Sequence, residues 1–150
     1  MKGFPDLPPI WAAFVAFLAI FAAWFEPIIS FGAPRWVSGL CLAAGFALVL
    51  WSAYFFWKNK TAIEPHHTPT TLIVEGPYRI SRNPIYLGMF LGVFGVALWS
   101  GAVSALLVAC IFPIIIRARF IRAEEEALKT QFGEAAEIYL ASTSRWIFGI

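Results

Sequence analysis

Charge is scarce in this chain. Asp, Glu, Lys and Arg make up 13% of its 150 residues, while 60% are hydrophobic. A soluble domain carries roughly 25% charged residues, so the surface cannot all face water. The net charge of +2 is small, and no basic cluster alternates with stacking aromatics as single-strand binding requires. Nucleic acid is therefore not an expected partner. The two cysteines, Cys41 and Cys110, both sit inside apolar runs, where small core residues are expected rather than a disulfide framework. The two histidines, His66 and His67, are adjacent in a proline-bounded loop. Neighbouring histidines rarely converge on one ion and no third ligand is spaced to join them, so no metal site is expected. Internal repeats, low-complexity segments and a glycine-rich phosphate fingerprint behind a strand pattern are also missing.

What the chain does have is long apolar runs. Leu7 to Phe25, Trp36 to Trp57 and Asn83 to Ile116 contain no Asp, Glu, Lys or Arg. A helix needs about 20 apolar residues to cross a hydrocarbon core roughly 30 Å thick. The first two runs fit one crossing each. The third is too long for one and slightly short for two, and Trp99-Ser100-Gly101 in its middle reads as a turn. It is expected to fold as a tight hairpin. Pro84 suits a helix start, where its missing N–H costs nothing, and Pro113 is placed to kink the second arm. The expected fold is a single all-α integral membrane domain over 1–150, with transmembrane helices at about 8–26, 36–57, 84–99 and 102–117. A cleaved signal peptide is the alternative for the first run, but bulky Trp24-Phe25 stands where small residues are needed. Gly88, Gly92 and Gly95 share a face of the first hairpin arm. They allow either close helix packing or room for a ligand.

The cations are grouped. Lys58, Lys60, Arg79 and Arg82 lie in the loop over 58–83, and Arg117, Arg119, Arg122, Lys129 and Arg145 in the tail. The first loop holds only Arg35. The positive-inside rule then places both termini and the central loop in the cytoplasm, as in an inner or plasma membrane of bacterial type. The tail is expected to form one amphipathic helix over 119–141. Ile121, Leu128, Phe132, Ala135 and Tyr139 fall on one side at 100° per residue. On that wheel Glu124 and Glu125 flank the stripe and Glu126 points nearly opposite.

The hairpin has a consequence for chemistry. Gly76-Pro77 makes a rigid turn, and Arg79, Arg82 and Asn83 follow just before the hairpin. Glu124 and Glu125 come just after it. Short arms force the two segments together, gathering arginines, an asparagine, Tyr78, Tyr86 and two carboxylates at one depth. A ligand with both charge signs and an aromatic base fits such a cluster. Interfacial Arg and Tyr also serve as plain membrane anchors, and both readings stay open at this level. The loop carrying His66 and His67 reads as a lid or as a polar connector.

These same residues carry a resemblance. "GPYRISRNPIYLG", followed by "EEEALKTQFGEAAEIYLASTSRW", is similar to the isoprenylcysteine carboxyl methyltransferase and phospholipid methyltransferase group of integral membrane enzymes. Gly76, Pro77, Tyr78, Arg82, Pro84, Tyr86 and Gly88 match its first motif. Glu124, Glu125, Leu128, Phe132, Gly133, Tyr139, Arg145 and Trp146 match its second. The likeness covers about the C-terminal half. Asn83 stands where the family usually has His, Ala136 where Tyr is frequent, and Phe148 where Pro is frequent. Asn hydrogen-bonds but does not titrate, so a positioning contact survives there and a proton-accepting role does not. The resemblance implies S-adenosylmethionine as methyl donor, S-adenosylhomocysteine as product, and a lipophilic, amphiphilic or prenylated acceptor. It implies cofactor binding by Tyr78, Arg82, Asn83, Pro84, Tyr86, Leu87, Gly88, Glu124 and Glu125, and catalytic roles for Arg82, Asn83 and Arg145. Of these, Arg145 is expected to hold an anionic acceptor group or to anchor at the interface. A phospholipid amine N-methyltransferase is the alternative within enzymes, and a non-enzymatic membrane interaction protein the alternative outside them.

Overall fold

The computed structural model describes residues 6–25, 29–61 and 70–147. His66, His67 and Phe148 lie outside them, as does the end of the first expected span. The described residues are helical, with a single antiparallel bridge between Ser30 and Ala102. The helices are α1 (Pro8–Trp24), α2 (Arg35–Lys58), α3 (Pro84–Ser100), α4 (Val103–Ala109), α5 (Phe112–Ile116), α6 (Arg122–Phe132) and α7 (Glu134–Ser142), with a 3-10 turn at Gly76–Arg79 and a π-helical turn at Arg117–Ile121. From α4 to α6 the chain runs as one helical stretch, Val103–Phe132. Among the described residues, that stretch and α2 are the two helices long and apolar enough to cross a membrane. The other two expected crossings, α1 and α3, are apolar but have 17 residues each, about 25 Å at 1.5 Å per residue.

The hairpin forms where the sequence places it. Gly101 closes α3 with φ 68°, a left-handed conformation that glycine adopts without a steric penalty. Ala102 is still extended, so the second arm begins at Val103 rather than at 102. The arm is interrupted upstream of Pro113: α4 stops at Ala109 and α5 restarts at Phe112. Proline lacks an N–H and its ring crowds the carbonyl four residues back, which here is that of Ala109.

The core joins Val15 and Ala19 of α1, Val93 and Ala97 of α3, Ala105 and Ala109 of α4, and Phe112, Ile116, Phe120 and Ile121 beyond. Helix α2 contributes nothing to that cluster. It touches α3 through small residues: a methyl group added at Gly45 would stand 2.5 Å from the Gly88 carbonyl oxygen, and one at Gly88 2.7 Å from that of Gly45. Two helical backbones approach this closely only without side chains between them. Gly88 and Gly95 are thus taken up by packing on α2, whereas a methyl group at Gly92 would meet nothing within 4 Å. At one end of the bundle, Phe31 N–H donates to the Gly101 carbonyl at 2.8 Å, tying the first loop to the hairpin tip. The opposite end gathers the end of α2, the start of α3 and the π-helical turn.

The tail departs from the expected single helix over 119–141. Gly133, at φ 53°, breaks it into α6 and α7. The break resets the helical phase, so Ala136 is buried and Ala135 exposed, the reverse of the uninterrupted wheel. Upstream, residues 119–121 belong to the π-helical turn and not to a separate tail helix.

Candidate functional site

The 3-10 turn at Gly76–Arg79 packs on α2. Gly76 has φ 58°, and a methyl group there would stand 2.3 Å from the Phe55 ring. Tyr78 is buried edge-on against Phe56 at 5.8 Å. Its carbonyl accepts a 2.9 Å hydrogen bond from the Tyr139 hydroxyl of α7. Burial pushes the Tyr139 phenol up to about 12, against the pull of Arg82. Burial also raises the Tyr78 phenol, with the charge of Glu124 adding to it. Both stay neutral at physiological pH.

The chain then enters α3 through Ser81, Arg82 and Asn83, and the tail closes over this segment. Arg82 N–H donates to the Ser144 carbonyl at 2.9 Å. The Ser81 hydroxyl and the Asn83 side-chain amide both donate to the Arg145 carbonyl, at 3.0 and 3.1 Å. Ser81 Oγ in turn accepts from Asn83 N–H at 3.1 Å. Asn83 is therefore a clasp between the helix start and the tail.

Three charges meet beside the clasp. Arg145 grips Glu125 with two parallel bonds, Nε to Oε1 at 2.8 Å and Nη2 to Oε2 at 2.6 Å. Arg82 Nη1 lies 3.3 Å from the same Oε1. The side chains of Arg82, Glu125 and Arg145 are only 15%, 13% and 20% exposed. Burial alone would raise the Glu125 carboxyl, which lies past the apolar part of its helix. The hydrogen bonds from Arg145 and the charge of Arg82 outweigh that and hold it below the usual carboxylate range. Glu124, the preceding residue on the same turn, accepts a hydrogen bond from the Tyr86 hydroxyl of α3. Glu126, 71% exposed, pairs outward with Lys129 at 2.6 Å.

The π-helical turn supports this placement. Phe120 and Ile121 are consecutive yet both buried, and Phe120 packs on the Tyr86 ring with centroids 6.4 Å apart. The wider turn keeps the inward face continuous from Ile116 through Phe120 and Ile121 to Glu124.

Of the residues singled out in the sequence, Arg82, Asn83, Tyr86, Glu124, Glu125 and Arg145 stand together. Pro84 is buried at the first turn of α3, and Leu87 is buried with its N–H on the Asn83 carbonyl. Gly88 faces α2, and Tyr78 is packed on α2 with its phenol close enough to feel the charge of Glu124. Arg145 does not extend a vacant guanidinium toward an acceptor; its fork is closed on Glu125. Ser81 was not among the expected site residues. A serine two places before an asparagine that precedes proline is a local turn signal that finds it. Within the cluster one buried donor is unmatched: Arg82 Nε has no hydrogen-bond partner among the described residues. A cavity of about 430 Å³ near Trp24 and Trp99 lies at the other end of the bundle. Its lining among the described residues is apolar but for Ser100, so the polar cluster is the better candidate.

The phospholipid methyltransferase family model matches residues 34–135. Among curated relatives, the cobalt-zinc-cadmium resistance protein CzcN of Cupriavidus metallidurans is 32% identical over 114 residues, 68% of this chain and 47% of the relative. The nickel-cobalt-cadmium resistance protein NccN of Alcaligenes xylosoxydans xylosoxydans is 28% identical over 111 residues, 66% of this chain and 46% of the relative. The chain thus spans about half the length of the curated relatives it matches. No solved structure matches.

Proposed function

The chain belongs to the phospholipid methyltransferase family, and on that premise we propose that it transfers a methyl group from S-adenosylmethionine to a lipophilic or amphiphilic acceptor at the cytoplasmic face of a membrane. The observation that carries this reading is the meeting of Arg82, Tyr86, Glu124, Glu125 and Arg145 at one end of an apolar helical bundle. The residues fit the donor. It carries a carboxylate, an ammonium group and a sulfonium cation. The buried, unmatched Nε–H of Arg82 suits the carboxylate, the Glu124 carboxylate suits the ammonium group, and the Tyr86 ring suits a cation on its face. When bound, this donor supplies a methyl group on positively charged sulfur.

The chain's own contribution is positioning. Direct displacement needs the nucleophile in line with the methyl group and water kept out. Tyr86 fixes one oxygen of Glu124. The Arg145–Glu125–Arg82 triad and the Ser81 and Asn83 clasp hold the tail over the start of α3. Asn83 accepts no proton, so the acceptor reacts as a carboxylate, a thiolate or an already neutral amine. A prenylcysteine-like carboxylate is the first reading for the acceptor. A phospholipid amine is the second, favoured by the family's own description. The two relatives are named for metal resistance. What supports methylation as the reading of this site is the match of the phospholipid methyltransferase family model over residues 34–135.

The test uses purified protein, methyl-labelled S-adenosylmethionine and a total lipid extract, read by mass spectrometry. An acceptor heavier by one methyl group is expected. Lability of the product to mild base marks a methyl ester, and resistance marks a methylated amine or thioether. Label that stays entirely in the donor across extracts would overturn the reading.

A further inference from the structure

The side of the Val103–Phe132 stretch that faces away from the bundle has a feature that the methyl-transfer site does not use. Leu107, Ile111 and Ile114 are exposed there, and spacings of four and three align them in one apolar row. The exposed apolar row stops before Arg117, and exposed Arg117, Arg119 and Arg122 follow. Arg119 is engaged: it donates to Asp6 at 2.8 Å and lies 4.8 Å over the Trp11 ring. Arg117 and Arg122 have no hydrogen bond or ion pair from their side chains among the described residues. The nearby acids are otherwise occupied. Glu126, one turn beyond Arg122, holds Lys129, and Glu125 holds Arg145 and Arg82. Glu124 holds Tyr86.

The backbone brings the two unpaired cations together. Five steps of 100° on an uninterrupted α-helix would separate Arg117 and Arg122 by about 140°. Instead the Arg122 N–H donates to the Arg117 carbonyl, five residues back. That wider turn reduces the angle and brings the two positions nearer to one side of the helix. Like charges so placed repel, and an anion between them removes the repulsion.

We infer that this face binds an anionic phospholipid, its phosphate between Arg117 and Arg122 and an acyl chain along Leu107, Ile111 and Ile114. A free anion has no use for the apolar row, and a zwitterionic lipid satisfies the cation pair poorly. Arginine's planar fork suits phosphate oxygens. The site is separate from the methyl-transfer cluster, which faces the bundle, and stands or falls independently of the proposed activity.

Native mass spectrometry tests it, using the full chain in detergent with equal amounts of dioleoylphosphatidylglycerol and dioleoylphosphatidylcholine. The phosphatidylglycerol adduct is expected to dominate. Each surface cation contributes about 1 kcal/mol toward anionic lipid, and about 1.4 kcal/mol is tenfold. Arg117→Gln with Arg122→Gln is therefore expected to weaken that adduct roughly thirty-fold, with helicity by circular dichroism unchanged. Arg35→Gln, at the other end of the bundle, leaves it as it was. Ile111→Ser with Ile114→Ser, which keeps the arginines, weakens it too. The inference is overturned if the double arginine variant retains the adduct, if phosphatidylcholine binds equally, or if glycerol phosphate displaces the lipid and so marks a free-anion site.

Discussion

Replacing Glu125 by glutamine tests how the site is held together. The carboxylate takes two bonds from Arg145 at 2.8 and 2.6 Å and stands 3.3 Å from Arg82. Glutamine keeps the volume and removes the charge, leaving two arginines, 15% and 20% exposed, without their counter-ion. Breaking a fully buried pair costs about 3–5 kcal/mol. The residual exposure here favours the lower end, about 3 kcal/mol. In a chain of this size about 1 kcal/mol moves the melting temperature by roughly 2–4 °C, so Glu125→Gln is expected to lower it by about 6–12 °C in thermal unfolding of the detergent-solubilised protein. Arg145→Gln also destabilises. The double variant should lose less than the sum, with a coupling of about 1–3 kcal/mol. The pH dependence carries a sign. The folded-state carboxyl is held below its ordinary value, so its contribution is complete above the unfolded value, about 4.3. It is lost as pH falls through the lower folded value. The gap between wild type and Glu125→Gln is therefore constant from pH 7 to about 5 and closes below about 4.3. Single variants that melt within about 2 °C of wild type, or losses that simply add, would refute the triad as a structural unit.

Other outcomes follow from the packing. Gly45→Ala places a methyl group 2.5 Å from the Gly88 carbonyl and should destabilise by about 1–3 kcal/mol through overpacking. Gly92→Ala meets nothing within 4 Å and should be neutral or slightly stabilising in the same melt. Tyr139→Phe removes the 2.9 Å bond to the Tyr78 carbonyl. It should cost about 1 kcal/mol, visible as faster amide exchange in residues 76–80 with the helices unaffected.

Much of the architecture was legible because it rests on local chemistry. The second run, read as 36–57, forms α2 over Arg35–Lys58, since charges bound it on both sides. The Gly101 turn and the Pro84 start were legible for the same reason. The orientation of the glutamate triplet was also readable, because three consecutive residues on a helix cannot share a face. Gly133 stands inside the expected helix, and its positive φ of 53° ends α6 and shifts burial from Ala135 to Ala136. The π-helical turn at Arg117–Ile121 has no marker of glycine or proline. It follows from tertiary packing of both Phe120 and Ile121. The tail clasp was least legible, because its acceptors are the backbone carbonyls of Ser144 and Arg145. Any residue type supplies such a carbonyl, so only the folded tail shows where it goes. The engagement of Arg145 with Glu125 was missed for a related reason: the sequence shows two charges, not which of several partners each selects.

The most direct test of the central claim is a calorimetric titration of the purified protein with S-adenosylhomocysteine. Saturable heat is expected for wild type and for Glu126→Ala, whose side chain faces outward to Lys129. Glu124→Gln should lose affinity about tenfold or more, from removal of a charge-assisted bond of about 1.5–3 kcal/mol. Absence of heat in the wild type, or equal behaviour of Glu124→Gln and Glu126→Ala, would contradict that claim.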